Sequence, residues 1–140
     1  QILQGLAKAI VKYQDPSSGT WYQVTDQGAR EGNYLESSAT ALFIYTLAKA
    51  INKGYIGNEY IEPTQKAFDG MVKTFTRLEE DGSYTITNCC AVAGLGGDSK
   101  RYRDGSFEYY ISEPIIENDP KSVGSFILAA IEYEKMTEKK

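Results

Sequence analysis

The spacing of apolar side chains predicts four helices along the chain. Residues 2–13 place apolar side chains at spacings of four and three, which is one helical face. Residues 36–53 are apolar nearly all round, so we expect that helix to be buried between other elements. The third helix opens near Asn58 with its apolar stripe on one side, as expected of an outer helix, and the fourth starts after Pro120. The apolar stripes are Ile2, Leu6, Ile10 and Tyr13 in the first helix, Phe68, Met71, Val72, Phe75 and Leu78 in the third, and Val123, Phe126, Ile127, Ala130 and Ile131 in the fourth.

The connections between these helices alternate in length. Residues 54–58 make a short link, which is typical of two antiparallel neighbouring helices. Residues 14–35 and 79–121 make long links, and in an up-down arrangement both must lie at the same end of the bundle. Long loops in a compact domain are usually functional or disordered, and these hold too many aromatic residues to be disordered. We therefore look for functional chemistry at this end.

The two long links also repeat each other. Gly19-x-Trp21 and Gly82-x-Tyr84 stand 63 residues apart, and each turn leads into a short β-like stretch, over 21–25 and 84–87. A repeat of roughly sixty residues with an outer helix, a turn and an inner helix predicts an array of helical hairpins. The sequence therefore predicts an all-α segment with short β-turn elements. Two hairpins leave such an array incomplete, so we expect an exposed apolar patch that self-associates or pairs with a missing part.

Composition narrows the function classes. A chain of 140 residues that is 41% hydrophobic allows one ordinary domain with a real core. Nineteen acidic and fifteen basic residues give a net charge of −4, which argues against nucleic-acid binding. Histidine is absent, which excludes catalytic triads and metal sites that rely on it.

Segments and ends of the chain suggest where it comes from. No apolar run approaches the ~20 residues of a membrane span, so no membrane partner is expected. A chain that opens inside a helix without Met is expected to be a piece of something larger. A cytoplasmic and a periplasmic location are both left open.

The two cysteines, Cys89 and Cys90, are adjacent and therefore make no long-range covalent link. They are a vicinal disulfide, a reactive thiol pair, or two buried free thiols. Because no histidine or set of metal ligands accompanies them, we expect two buried free thiols.

Polar residues of the two long loops carry the candidate chemistry. The first loop places glycines and polar residues ahead of the buried helix, with Ser37 or Ser38 as an N-cap. The alternative for the first loop is a capped, solvated turn in which Glu36 only interacts favourably with the helix dipole. The second loop mixes Arg, Asp, Glu and Tyr, and this mixture suits a polyhydroxylated or carboxylated ligand. The alternative is a self-packed loop held by its own ion pairs.

Carboxyl groups are the candidates for acid and base chemistry. Such a group must be poised by burial or by a like-charged neighbour, which spacing does not reveal. Residues 94–97 lack the lysine and the preceding strand of a phosphate-binding loop, so no nucleotide site is expected. The seven candidate acids are Asp26, Glu31, Glu36, Asp104, Glu108, Glu113 and Asp119.

Linked motifs across essentially the whole chain are specific enough to name a family. They read KYQD at 12–15, GTWYQV at 19–24, GNYLESSA at 32–39, AGLGG at 93–97, RDGSFEYYISEP at 103–114, and NDPK at 118–121 followed by Gly124. Together they resemble the unsaturated rhamnogalacturonyl hydrolases of glycoside hydrolase families 105 and 88. The resemblance implies that residues 1–140 are a single segment, the C-terminal portion of a larger (α/α)6 barrel of about twelve helices.

The resemblance also implies an activity. Such enzymes remove an unsaturated galacturonic acid from the non-reducing end of pectin-derived disaccharides, so the implied partner is an oligosaccharide with an unsaturated uronic acid end. An aspartic acid protonates the C4=C5 double bond, water adds at C5, and the resulting hemiketal opens. The resemblance implies no metal and no organic cofactor.

Nothing in this chain corresponds to the family's catalytic aspartic acid or to its His/Trp/Arg substrate-binding segment. No catalytic residue is therefore assigned, and we expect the chain by itself to be inactive. Two other classes stay open: a non-catalytic carbohydrate-binding or interaction module, and a helical toroid that handles terpenoids or peptides, for which apolar loops would be expected. The long loops supply candidates for one wall of the substrate pocket, namely Trp21, Tyr34, Glu36, Arg103, Tyr109, Tyr110, Asn118 and Lys121.

Overall fold

The computed structural model describes residues 1–28, 30–98 and 102–138, and about half of the chain is helical. The helices, with a 3-10 turn at Asn58–Tyr60, are α1 (Ile2–Lys12), α2 (Ser37–Asn52), α3 (Ile61–Phe75), α4 (Phe107–Ser112) and α5 (Pro120–Glu138). The short strands are β1 (Thr76–Leu78), β2 (Tyr84–Ile86), β3 (Cys89–Cys90) and β4 (Ile115–Ile116). The four predicted helices are confirmed as α1, α2, α3 and α5, and α4 is an additional short helix. In the described part of the chain, no helix is long and apolar enough to span a membrane.

Helices α2 and α5 pack along each other and form the inner layer, and α3 packs against both. The contact between α2 and α5 is close because the buried side of α5 carries the small residues Ser122, Ser125 and Ala129. Outside this pair, the Phe68 ring stacks on the Tyr133 ring with 3.9 Å between centroids. The core therefore lies where α2, α5 and the apolar face of α3 meet.

Two predicted apolar faces are turned relative to the core. In α1 the buried residues are Ala7 and Ile10, whereas Ile2 is 91% exposed and Leu6 is 46% exposed. In α5 only part of the predicted stripe points outward: Ile127 is 54% exposed and Ile131 is 44% exposed, whereas Phe126 packs against the core. The apolar periodicity correctly predicts a helix. However, the face of α5 that packs against α2 is the one with small residues, because small residues allow the two helices to approach closely.

The glycines of the two predicted turn repeats share a left-handed backbone conformation. Gly19 and Gly82 have φ of 77° and 83°, and an aspartate side chain closes each turn. Asp15 Oδ2 accepts the backbone N–H of Ser18 at 2.7 Å, and Asp81 Oδ1 accepts that of Ser83 at 2.9 Å. A left-handed φ favours glycine, which explains why both turns need it.

The β-like stretches are only partly confirmed. β2 forms an antiparallel hairpin with β1, with Thr76 opposite Ile86, so Leu78 lies in a strand and not in the third helix. The first stretch forms only an isolated bridge between Tyr22 and Leu35. β3 pairs antiparallel with β4, which ties the middle of the second long loop to the segment before α5.

Candidate functional site

The N-terminus of α2 is held by a buried carboxylate. Glu36 is the N-cap residue, and its Oε2 accepts the backbone N–H of Ala39 at 2.6 Å. Its Oε1 accepts from Ser38 Oγ and from the backbone N–H of Cys90, both at 2.9 Å. The side chain therefore joins the first helix turn to β3, and the expectations of a serine N-cap and of a solvated turn are both wrong. The reason is that β3 covers this end of α2.

The cysteine pair lies beside this cap. Cys89 and Cys90 are buried free thiols, as expected from the sequence. Gln23 Nε2 donates to Cys90 Sγ at 3.2 Å, and Cys90 Sγ is 3.2 Å from the carbonyl oxygen of Val92. Burial raises the pKa of the Cys89 thiol, and the Glu36 carboxylate raises it further. A buried thiol with a raised pKa is a poor nucleophile, so Cys89 is suited to a structural role.

Tyr34 completes this group of buried and half-buried side chains, which we call the cap cluster (Gln23, Tyr34, Glu36 and Cys90). Burial raises the pKa of the Tyr34 phenol, and the neighbouring Cys90 thiol adds to the increase. The phenol therefore stays protonated at neutral pH. The cap cluster stabilises the meeting point of the two long loops.

The second long loop folds back on itself around another buried carboxylate. Gly96 and Arg103 exchange two backbone hydrogen bonds of 2.8 and 2.9 Å. Glu113 is 2% exposed, and its Oε1 lies 3.8 Å from Arg103 Nε. Burial raises the pKa of the Tyr109 phenol, as does its hydrogen bond with Glu113. Tyr109 Oη also accepts the backbone N–H of Gly94 at 3.2 Å.

These contacts define the loop cluster (Arg103, Tyr109 and Glu113). The Arg103 side chain remains 32% exposed while its Nε faces the buried Glu113. The Tyr110 ring lies 5.0 Å from that of Tyr109. An arginine held from behind by a carboxylate is suited to bind an anionic group in front, and tyrosine rings are suited to sugar faces.

The two long loops contact each other, which confirms that they lie at one end of the bundle. Arg30 of the first loop forms an ion pair with Glu108 of α4. Its guanidinium carbon also lies 3.8 Å from the centroid of the Phe107 ring. A β-carbon at Gly32 would come within 2.9 Å of Ile111, so the loops approach closely here as well.

The start of α5 brings two further predicted wall residues, Asn118 and Lys121, to this end. Asp119 Oδ1 accepts the backbone N–H of Lys121 at 2.8 Å, which caps the helix. Lys121 Nζ bonds Asp119 Oδ1 at 2.7 Å and the carbonyl oxygen of Ala91 at 3.0 Å. The Asn118 side chain accepts the backbone N–H of Ile86 at 2.8 Å, so it links β2 to the start of α5.

Two of the predicted wall residues are not available to a ligand. Trp21 has no exposed surface, and its Nε1 donates to the carbonyl oxygen of Ile10 at 2.8 Å. Glu36 is 1% exposed with both carboxylate oxygens bonded. Further packing only buries such side chains more, so Trp21 is a core residue and Glu36 a structural cap. The structure brings Tyr34 and Lys121 to the β3 side of the loops and Arg103, Tyr109 and Tyr110 to the loop cluster.

The seven candidate acids divide by environment. Glu36 and Glu113 are buried and bonded, and Asp119 caps α5. Hydrogen bonds from Ser106 lower the pKa of Asp104. The other exposed acids of the two loops are Asp26, Glu31 and Glu108.

An open cleft at the end of α1 was not predicted. It has a volume of about 320 Å³ and is lined by Lys12, Tyr13, Tyr22 and Asp26 among others. The alternation of tyrosines and charges around the first loop was the only available signal for it. Among residues 1–28, 30–98 and 102–138, no group of three His, Cys, Asp or Glu side chains is arranged to hold a metal ion.

The comparisons with known proteins agree with this architecture. The chain matches the family model of Glycosyl Hydrolase Family 88 over residues 1–137. Protein Atu3128 of Agrobacterium fabrum is 37% identical over 119 residues, which are 82% of this chain and 51% of that protein.

Two solved structures extend the likeness to three dimensions. A glycoside hydrolase of family 105 from C. acetobutylicum ATCC 824 superimposes with a TM-score of 0.87 at 45% identity, over 91% of this chain and 35% of that one. A possible member of the GH105 family from Salmonella enterica gives a TM-score of 0.73 at 26% identity, over 96% and 30%. The chain thus spans about half the length of the curated relative and about a third of these solved chains. On this evidence, the chain belongs to Glycosyl Hydrolase Family 88.

Proposed function

We propose that this chain is the C-terminal portion of a larger (α/α)6-barrel domain that removes unsaturated galacturonic acid from pectin-derived oligosaccharides. The observation that carries the proposal is the meeting of both long loops at one end of the helices, in a member of a glycoside hydrolase family. In barrels of helical hairpins, the loops at one end enclose the substrate. The two loops of this chain supply one wall of that pocket.

The loop cluster carries the recognition chemistry of this wall. Arg103 presents a partly exposed guanidinium that Glu113 holds from the buried side, which suits the carboxylate of a uronic acid. Tyr109 and Tyr110 present adjacent rings, which suit the apolar face of a sugar. A uronyl oligosaccharide is the ligand class that uses both features.

The proton donor of the reaction lies outside this chain. Protonation of a C4=C5 double bond requires a carboxylic acid that keeps its proton at the working pH. Hydrogen bonds lower the pKa values of Asp104 and Asp119, so both are ionised at neutral pH. Glu36 is fully occupied as a helix cap and has no face toward a ligand. The chain alone is therefore expected to bind weakly and to turn over nothing.

The test follows the loss of ultraviolet absorbance of the unsaturated uronyl double bond. The 140-residue chain and a longer glycoside hydrolase that contains it are assayed side by side. Turnover is expected only from the longer protein, and Arg103→Ala should raise its KM. The matched control is Arg77→Ala, because Arg77 pairs with Glu117 on the exposed side of the β1–β2 hairpin.

Two results would overturn the proposal. Turnover by the chain alone that disappears in Asp104→Asn would place the acid within these residues. A longer protein that binds the oligosaccharide without consuming the double bond would favour a non-catalytic carbohydrate-binding module.

A further inference from the structure

The open cleft at the end of α1 shares no residue with the loop cluster. Its volume is about 320 Å³, and the residues that line it lie between Lys12 and Gly28. One continuous stretch, the end of α1 and the first part of the first long loop, therefore builds it. We call it the tyrosine cleft and define it by Lys12, Tyr13, Asp15, Tyr22, Asp26 and Gly28.

Two tyrosine rings form the apolar part of the tyrosine cleft, and the backbone holds both in place. Tyr13 is the C-cap residue of α1, and its N–H donates into the last turn of the helix. The backbone of Tyr22 forms the bridge to Leu35. A β-carbon at Gly28 would lie 2.8 Å from the Tyr22 ring, so the glycine lets the loop lie against that ring. The rings are therefore in position before any ligand arrives, which lowers the entropic cost of binding.

The part of the loop that carries Asp26 is also held in place. Asn33 Oδ1 accepts the backbone N–H of Val24 at 3.2 Å, and its Nδ2 donates to the carbonyl oxygens of Val24 and Gln27 at 2.9 Å each. Asp26 is exposed, and within the described ranges its carboxylate takes part in no hydrogen bond or ion pair. A fixed loop thus offers an unused hydrogen-bond acceptor in the same cleft as the two rings.

The charges around the tyrosine cleft favour an uncharged ligand. Asp15 and Asp26 contribute two carboxylates, and α1 directs the negative end of its dipole here. The Lys12 ammonium lies 4.8 Å from the centroid of the Tyr13 ring. Lys66 of α3 approaches from outside, and its Nζ bonds a backbone carbonyl oxygen of the first loop at 2.6 Å. An anionic ligand would therefore meet two carboxylates, while both ammonium groups already have partners.

The first long loop connects the tyrosine cleft to the loop cluster. Asp26 and Arg30 are four residues apart, at most ~14 Å of extended chain. The Arg30 guanidinium carbon lies 3.8 Å from the ring centroid of Phe107 in α4, the helix that also carries Tyr109. Both sites therefore belong to the loop end, near enough for one oligosaccharide of several sugar units to occupy both.

Aromatic faces, an accepting carboxylate and little free positive charge form the recognition chemistry of a neutral sugar. The C–H groups of a sugar pack on an aromatic face, and its hydroxyls donate to a carboxylate. The loop cluster differs, because Arg103 suits an anionic group. We propose that the tyrosine cleft binds a neutral sugar unit of the oligosaccharide, at a distance from the uronic acid. This inference rests on the function proposed above.

Amide NMR of the longer glycoside hydrolase tests the site residue by residue, with methyl galactoside as the neutral probe. The amides of Tyr13, Tyr22, Asp26 and Gly28 should shift together and give one dissociation constant. Methyl galacturonoside differs from this probe only by a carboxylate in place of the C6 hydroxymethyl group. It should bind the cleft about two- to fivefold more weakly, because it meets like charges at a solvated surface.

Substitutions test the two kinds of contact. Tyr13→Ala and Asp26→Ala should each weaken methyl galactoside binding at least ~fivefold, because one removes an aromatic face and the other an acceptor. The amides of Tyr22 and Gly28 report both variants, and the rest of the spectrum shows that each folds. Tyr84→Ala is the matched control, because Tyr84 is 65% exposed on β2 and does not line the cleft.

A second comparison isolates the charge. Asp26→Asn keeps a carbonyl acceptor and removes one negative charge, so the affinities for the neutral and the acidic probe should become more similar. A ratio between the two probes that stays unchanged in Asp26→Asn would contradict the role of this carboxylate.

Three results would overturn the neutral-sugar site. They are cleft amides that do not respond to methyl galactoside, a response retained in both Tyr13→Ala and Asp26→Ala, and tighter binding of methyl galacturonoside at the cleft. The proposed function is measured separately, by the absorbance of the unsaturated double bond. A longer protein that leaves the double bond intact while its cleft amides respond would contradict that function and retain the sugar site.

Discussion

The Glu36 carboxylate accepts three hydrogen bonds from two separate segments, the first turn of α2 and β3. Glu36→Gln keeps the volume but turns an amide N–H₂ toward at least one of these donors. We expect the free energy of unfolding to fall by about 2 kcal/mol, since a buried donor loses its charged acceptor. Glu31→Gln, on the exposed part of the same loop, should change it by less than about 0.5 kcal/mol. Equal effects in urea denaturation would contradict the structural role of Glu36.

Asp119 makes the stability depend on pH. Hydrogen bonds from Lys121 lower its pKa below the ordinary value of 3.8, so the folded state binds this proton less readily than the unfolded state. The charge therefore stabilises the fold fully above about pH 5, and this contribution is lost as the pH falls below the unfolded pKa. Asp119→Asn keeps a capping oxygen and should be less stable than the wild type at about pH 7, with a smaller difference near pH 3. Urea denaturation at both pH values measures the difference, and one that is as large at low pH would contradict this assignment.

Residue types were easier to predict than residue environments. The chemistry of the loops, the buried thiols and the candidate list containing Glu113 all follow from sequence. The burial of Trp21 and Glu36 does not, because it depends on α1 and β3 closing over residues far away in the chain. The pairing of Arg103 with Glu113 likewise requires the second loop to fold back on itself.

Two glycines inside helices should respond oppositely to the same substitution. A β-carbon on Gly70 of α3 would lie 1.9 Å from the carbonyl oxygen of Ser18, whereas one on Gly124 of α5 meets nothing within 4 Å. Gly70→Ala should therefore destabilise by about 1–3 kcal/mol, because backbone must move. Gly124→Ala should stabilise by about 0.5–1 kcal/mol, because alanine restricts the unfolded chain and favours the helix. Thermal melts of both variants provide the comparison, and a destabilised Gly124→Ala would show that α5 is more crowded than its exposure indicates.

Helices were predicted well as elements, but their orientation was not. The apolar period identifies α1 and α5, yet Ile127 and Ile131 face outward while Ser125 and Ala129 face α2. Apolar periodicity assumes that the most hydrophobic face is the one packed in the core. In an array of hairpins each inner helix has two packed sides, and within these residues one side of α5 is left uncovered.

The whole chain should be insensitive to pH near neutrality. It contains no histidine, which is the side chain that ordinarily titrates between pH 5 and 8. Shifts of carboxyl pKa values in the described ranges are all downward, as for Asp15, Glu117 and Glu132. The free energy of unfolding should therefore be constant from about pH 5.5 to 7 and fall at lower pH, where the unfolded state takes up protons first. A change within the plateau, measured by urea denaturation, would contradict this expectation and reveal a group that titrates near neutral pH.

The buried indole of Trp21 gives the molecule an optical reporter of its own. It is the single tryptophan of the chain, it lies edge-on to the Phe43 ring at 5.3 Å, and it borders an open apolar cavity of about 230 Å³ between α1 and α2. Its emission therefore comes from one known place, with no second indole to separate. Unfolding exposes the indole to water and should shift this emission to longer wavelength. Occupation of this cavity should instead change quenching by acrylamide while the emission maximum stays in place, so one fluorescence experiment distinguishes loss of the fold from filling of the cavity.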